Sequence, residues 1–312
     1  MKKILVTLLF LQFIVLGLSG QYATEILVAK DGSGDYVSIQ KAIDDTKSFP
    51  DKAITILIKD GVYNEKVRIY PWNTNLTIVG ESADSTILTY EDFFSKLDVG
   101  RNSTFHTFTL SVEANDVTIR NLTIKNSSGP VGQAIALSVQ GNRCKFENCK
   151  ILGHQDTLYC TGENNYQYFL RCYIEGTTDY IFGNAIVVFE ECQVHSLSDS
   201  YITAASTVEG QAYGFVFLNC HLSAMKDVSK VYLGRPWRPY AKTVFINCLY
   251  EPHILPEGWS KWGKDENIKA FYAEYHPTYD LSKRVSWSTK LTSVDLIKYD
   301  PKIIFENWNY KH

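Results

Sequence analysis

Two stretches, FENCKILGHQDTLY (146–159) and FLRCYIEGTTDYIFG (169–183), read as successive copies of one unit. Cys149 and Cys172 stand at an interval of 23, as do Asp156 and Asp179, and each aspartate occupies the seventh position after its cysteine. If that interval is one turn of a coil, the two carboxylates stack on one face of neighbouring turns, at the roughly 4.8 Å spacing of adjacent strands. Carboxyl groups held that close do not both ionise readily, so one keeps a proton while the other stays anionic. Such a pair joins a nucleophile to a general acid.

The same unit recurs along the chain. NLTI (75–78), NLTI (121–124), NCKI (148–151), RCYI (171–174), ECQV (191–194), NCHL (219–222) and NCLY (247–250) have starts separated by 46, 27, 23, 20, 28 and 28, and 46 is twice 23. Repeats of this length indicate stacked units that bury a core only through their neighbours. Each run is a short alternating segment bounded by Gly, Asn or Ser, and helical periodicity is nearly absent over residues 50–250. Propeller blades need about 40 residues and leucine-rich repeats a fixed LxxLxL frame, so neither fits. The pattern predicts an all-β chain wound as a parallel β-helix, with uneven loops expelled on one side, where function concentrates. An open coil end exposes unpaired backbone, so caps are expected. SIQKAIDDTKSF (38–49) supplies a short N-terminal capping helix, and a tail over 289–308, with SVDLIKY as a helical turn before Pro301, packs on the coils.

The bulk composition bounds the rest. The chain has 312 residues, 45% hydrophobic and 21% charged, with a net charge of −3, which gives no electrostatic case for nucleic acid. Lys2 and Lys3 precede an apolar run from Ile4 to Leu18, then Ser19, Gly20 and Gln21. This is the build of a secretory signal peptide over 1–20, cleaved near Gly20 and too short for a membrane span. A buried helix or an anchor is the alternative. The expected mature chain is a single domain over 22–312, secreted or periplasmic, off the membrane once the leader is cut, and monomeric. Five of the seven cysteines (Cys149, Cys172, Cys192, Cys220, Cys248) hold equivalent repeat positions, which reads as a stacked ladder. No CxxC pair, Cys/His cluster or HExxH has metal-site spacing, so no metal and no cofactor are expected.

GVYNE (61–65), QAIAL (133–137), GHQDTLY (153–159), DYIFG (179–183) and LGRPW (233–237) together resemble the pectin methylesterase family, as does VAKDGSGDYVSIQKAID (28–44). The motifs stand in the family's order over most of the chain. The resemblance implies a right-handed parallel β-helix, metal-free hydrolysis of methylated galacturonan, and two catalytic aspartates. Asp179 is then the nucleophile, and Arg235 holds it by two parallel hydrogen bonds. A lone aspartate before such a turn ordinarily caps it; the match to Asp156 separates this one from that role. Asp156 is the general acid and then base, since methoxide leaves poorly without a proton. Gln133 and Gln155 are the oxyanion donors, Gln133 standing the same interval of 23 before Asp156. Tyr159, Phe182 and Trp237 are the candidate sugar-stacking aromatics, with a core role open for Phe182. Tyr63 and Glu65 of GVYNE are expected to tie a turn.

Other positions carry less. His154 lacks a GxSxG partner and reads as a supporting or surface residue. Asp199 repeats the seven-position offset from Cys192 without the motif, and reads as a loop or rim residue. Ala205 stands where a glutamine is common in the family, which removes any contact carried over for that position. Some members of the family oxidise the pair matching Cys172 and Cys192; a free ladder is the alternative. A polygalacturonase or pectate lyase on the same coil is the rival enzyme reading, although no acidic calcium cluster is found. A non-catalytic binding solenoid is the third.

Overall fold

The computed structural model describes residues 22–263, 269–276, 280–306 and 308–310; the expected leader lies outside them. Short strands alternate inward and outward side chains, as in Ile54–Ile58 and Leu76–Gly80, where every second residue is buried. Strands pair in parallel with their counterparts one coil on, in sheets of eleven, seven and eight strands. The three sheets are the walls of a parallel β-helix.

One corner of that coil explains the repeat. Asn121, Asn148, Arg171, Glu191, Asn219 and Asn247 all have φ between 49° and 54°, a left-handed conformation that asparagine tolerates best among residues with a Cβ. Each donates its N–H to the carbonyl ending the adjacent coil's strand, from Glu147 to Tyr275, at 3.0–3.1 Å. The turn throws the next residue inward, so Leu122, Cys149, Cys172, Cys192, Cys220 and Cys248 form a buried column. All seven cysteines are free; the Cys172 and Cys192 thiols approach the carbonyls of Phe146 and Phe169 at 3.6 and 3.4 Å.

The first NLTI run does not belong to this column. Leu76–Gly80 pairs with Val117–Arg120 in the eleven-stranded sheet, whereas Thr123–Asn126 lies in the eight-stranded one. The two runs look alike because each follows a left-handed asparagine, Asn75 at φ 56° and Asn121 at φ 53°. The interval of 46 is therefore not two coils.

Inside the coil, Phe146, Phe169, Phe189, Phe217 and Phe245 stack at centroid distances of 4.6, 5.0, 4.4 and 4.3 Å. Phe217 is fully buried between two of them. Phe217→Ala should cost about 3–5 kcal/mol through lost burial and the cavity left behind, read as a lowered urea midpoint.

At the N-terminal end, helix Ile39–Asp44 buries Ile39, Ala42 and Ile43. The Glu65 carboxylate accepts from Ser38 Oγ and from the N–H groups of Ile39 and Gln40, at 2.7–3.1 Å, satisfying donors a helix start leaves free. Tyr63 is fully buried, its hydroxyl on the Lys59 carbonyl. GVYNE thus serves the fold. At the other end, the turn Asp295–Tyr299 and helix Pro301–Ile304 carry Ile304, Phe305 and Tyr310 onto the outer face of the largest sheet, against Tyr168, Val188, Val216 and Val244.

Candidate active site

The seven-stranded sheet builds the site. Leu158–Cys160, Ile181–Gly183 and Tyr201–Ala205 are successive rungs, with Leu158 opposite Ile181 and Ile181 opposite Thr203. Asp156 and Asp179 each stand two residues before their strand, at a corner with φ of 63° and 48°. Such backbone strain is stored where neighbouring structure fixes it. Here the Asp156 N–H bonds the Thr178 carbonyl at 3.1 Å, and the Asp179 N–H bonds that of Tyr201 at 2.8 Å. The carboxylates are thus on equivalent corners of adjacent coils.

Gln133 also reaches this wall, by a different register from the one an interval of 23 predicts. It bridges Gln155, not Asp156, because this coil is shorter and brings Leu158 opposite Leu137. Two of the expected residues therefore sit side by side one step before the aspartate. No side-chain hydrogen bond within the described residues engages either amide.

These groups open into a cavity of about 330 Å³ lined by Gln133, Gln155, Asp156, Asp179, Arg235 and Trp237, together with Phe182 and Ala204. Arg235 donates Nε–H and Nη2–H to the two oxygens of Asp179 at 3.0 and 2.7 Å. Its guanidinium lies 4.0 Å from the ring centroids of both Tyr201 and Trp262. Asp179 is only 5% exposed. Burial raises its carboxyl above the ordinary value, and Arg235 pulls it back. Asp156 is pushed well above the carboxylate range, by burial first and the Asp179 charge second, against a weaker pull from Arg235. The proton is therefore held on Asp156 while Asp179 is the first to ionise.

The aromatics form a row. Phe105 packs 5.0 Å from Tyr159, Tyr159 stacks 4.7 Å from Phe182, and Phe182 meets Trp237 edge-on at 6.0 Å. Phe182 and Trp237 line the cavity; Tyr159 does not, and instead supports Phe182 from beside it. Four lining residues have no sequence signal in the repeat: Trp262, and Arg101, Thr104 and Phe105 from the excursion between strands Thr86–Tyr90 and Leu110–Val112. That excursion holds the short helices Phe94–Leu97 and Ser103–His106.

Three other sequence expectations take definite places. Asp199 is not the next rung after Asp179, a place Tyr201 holds; its carboxylate accepts from the N–H groups of Ser229 and Lys230 at 2.8 and 2.9 Å, clamping a loop. Ala205 is fully buried in the core, and its neighbour Ala204 faces the cavity. His154 is outside the lining, its Nδ1 buried without a partner among the described residues, and burial lowers its pKa. Among the described residues, no group of three or more His, Cys, Asp or Glu side chains is placed to hold a metal ion, and no helix is long and apolar enough to cross a membrane.

Comparison with known proteins extends the geometry. A family model described as Pectinesterase matches residues 25–302. Pectinesterase 31 of Arabidopsis thaliana is 37% identical over 85% of this chain and 87% of that protein. The chain spans about half the length of several other Arabidopsis relatives, whose names pair pectinesterase with pectinesterase inhibitor. Among solved structures, pectin methylesterase from carrot superposes with a TM-score of 0.83 at 31% identity, covering 89% of this chain and 92% of its own. A pectin methylesterase in complex with a hexasaccharide gives 0.79 at 28% identity, covering 91% and 97%. The chain belongs to the pectinesterase family of carboxylic ester hydrolases.

Proposed function

We propose that this protein hydrolyses the C6 methyl esters of methylated homogalacturonan to pectate and methanol, with Asp179 as nucleophile and Asp156 as acid and base. The observation that carries this is the division of labour between two equivalent corners: one carboxylate is gripped twice by Arg235, and the other has no hydrogen-bonded cation among the described residues. Asp179 attacks the ester carbonyl carbon. The side-chain amides of Gln133 and Gln155 donate to the oxygen that becomes negative. Asp156 gives its proton to the departing methanol, leaving an acyl group on Asp179 and a carboxylate at Asp156. Asp156 then takes a proton from water as the water attacks the acyl carbon, which frees Asp179 and restores the starting protonation.

Trp237 offers an apolar surface to sugar rings at the cavity wall, to which Phe182, only 4% exposed, adds a smaller part. The hexasaccharide held by the structural neighbour supports a polysaccharide as substrate. The leader-like residues 1–20 suit an enzyme that meets this polymer outside the cytoplasm. No cofactor is needed for these steps, and we read the protein as acting alone.

The test is to supply highly methylated pectin and follow three products. Methanol should appear without new reducing ends and without ultraviolet absorbance from an unsaturated uronate. Reducing ends in its place would make the protein a glycosidase, and absorbance a lyase. Gln155→Leu should lower kcat by about 10²–10³ with little change in KM, the size of effect expected for one oxyanion donor. A change confined to KM would move Gln155 to ground-state binding.

A further inference from the structure

Building on the esterase reading, we propose that Tyr201 is a positioning residue for the reaction: its ring, with Trp262 opposite, holds the Arg235 guanidinium in the plane from which both N–H groups meet Asp179. The guanidinium carbon is 4.0 Å from each centroid, close enough for both faces of the cation to be covered. A guanidinium is planar and weakly hydrated, so it stacks well on aromatic faces and loses little by leaving water.

The two aromatic faces are not equivalent. Tyr201 belongs to the coil: it pairs with Tyr232 on the next rung, and the two rings stack at 5.4 Å and 14°. Trp262 is 39% exposed, follows the last rung contact at Trp259, and lines the cavity. The order Tyr232, Tyr201, Arg235, Trp262 thus runs from fixed scaffold to wet surface, with Tyr201 as the fixed face. The main chain of Tyr201 acts on the other partner, since its carbonyl accepts the Asp179 N–H at 2.8 Å. One residue therefore sets the aspartate through its backbone and the arginine through its side chain. The Arg235 N–H on the Thr203 carbonyl, at 2.9 Å, anchors only the base of a long side chain. Without a ring beneath it, that side chain can rotate away from the two-point grip.

Tyr201→Leu removes the ring face and keeps the carbonyl, while Tyr201→Phe keeps both and gives up only the hydroxyl, whose effect on Arg235 is smaller than that of Asp179. On highly methylated pectin, Tyr201→Leu should lose about tenfold to hundredfold in kcat, the cost of a misplaced catalytic group, with KM held within about twofold. Its acid limb should move to higher pH, because Asp179 loses part of its charge partner, and Tyr201→Phe should restore both. In an Arg235→Lys background, Tyr201→Leu should add nothing. Unchanged kcat, a kcat loss with an unmoved acid limb, or full additivity with Arg235→Lys would each overturn the proposal. Tyr201→Met serves the same comparison if the leucine variant does not fold. Titration of Asp179 by carbon NMR separates the two readings. The shift on Tyr201→Leu is expected whatever the product assay gives, so an unmoved Asp179 removes Tyr201 from this role. A wild-type protein that releases no methanol removes the esterase reading instead.

Discussion

Asp179→Asn is expected to abolish methanol release from methylated pectin, with kcat falling by about 10⁴-fold or more, the scale seen when a covalent nucleophile is removed. An amide of the same shape cannot attack the ester carbonyl, and it replaces only one of the two oxygens that Arg235 grips at 3.0 and 2.7 Å. The variant should nevertheless fold. Asp179 is almost fully buried, and burial raises its carboxyl pKa, so relief of that desolvation offsets part of what the Arg235 pair loses when the charge goes. Its N–H bond to the Tyr201 carbonyl is a main-chain contact and survives. The positive φ of 48° suits asparagine at least as well as aspartate. The measurement is methanol produced per enzyme per minute beside a urea melt of the same preparation. Turnover within about tenfold of wild type by a folded Asp179→Asn protein would transfer the nucleophile's role elsewhere, with Asp156 the first alternative.

How far the site was legible in the sequence follows from what fixes each residue. Asp156 and Asp179 could be paired because both belong to coils whose length is set by the same left-handed corner and buried cysteine, at Asn148–Cys149 and Arg171–Cys172. Arg235 and Trp237 follow the strand Tyr232–Gly234 directly, so their motif places them. Counting failed where coil length changed. Gln133 reaches the cavity one residue out of the predicted register, and Asp199 shares an offset with the aspartates while the rung itself belongs to Tyr201. The first NLTI run misled for a related reason, since two corners of the coil use the same asparagine device. Arg101, Thr104 and Phe105 were out of reach because their excursion has no period to count. Tyr201 was within reach: it lies nearly one full coil beyond Asp179 and two positions before Thr203, the partner of Ile181, so it is the next place in the same column.

Asp156→Asn should separate activity from stability along the pH axis. In the wild-type protein the acid form of Asp156 protonates methanol, so activity should fall on the alkaline side as pH rises through its raised pKa. On the acid side activity should fall as Asp179, also raised by burial, takes up a proton. The two limbs are properties of the pair. Asp156→Asn removes the donor, and kcat should drop by about 10²–10⁴, the usual worth of general acid catalysis, with the alkaline limb gone from the residual rate. Stability should move the other way. A carboxyl whose folded pKa lies above its unfolded value contributes stability fully below the unfolded value, about 4, and loses it as pH rises through the folded one. Wild type therefore carries a penalty at alkaline pH that the neutral amide lacks. The melting temperature of Asp156→Asn should exceed that of wild type above the Asp156 transition, and the gap should close as pH falls toward about 4. A gap constant across that range would mean that Asp156 is not the carboxyl whose pKa the fold raises most. An alkaline limb that survives the substitution would assign the departing proton to another group, and of the charged groups lining the cavity among the described residues, Asp179 and the two arginines would then remain to supply it.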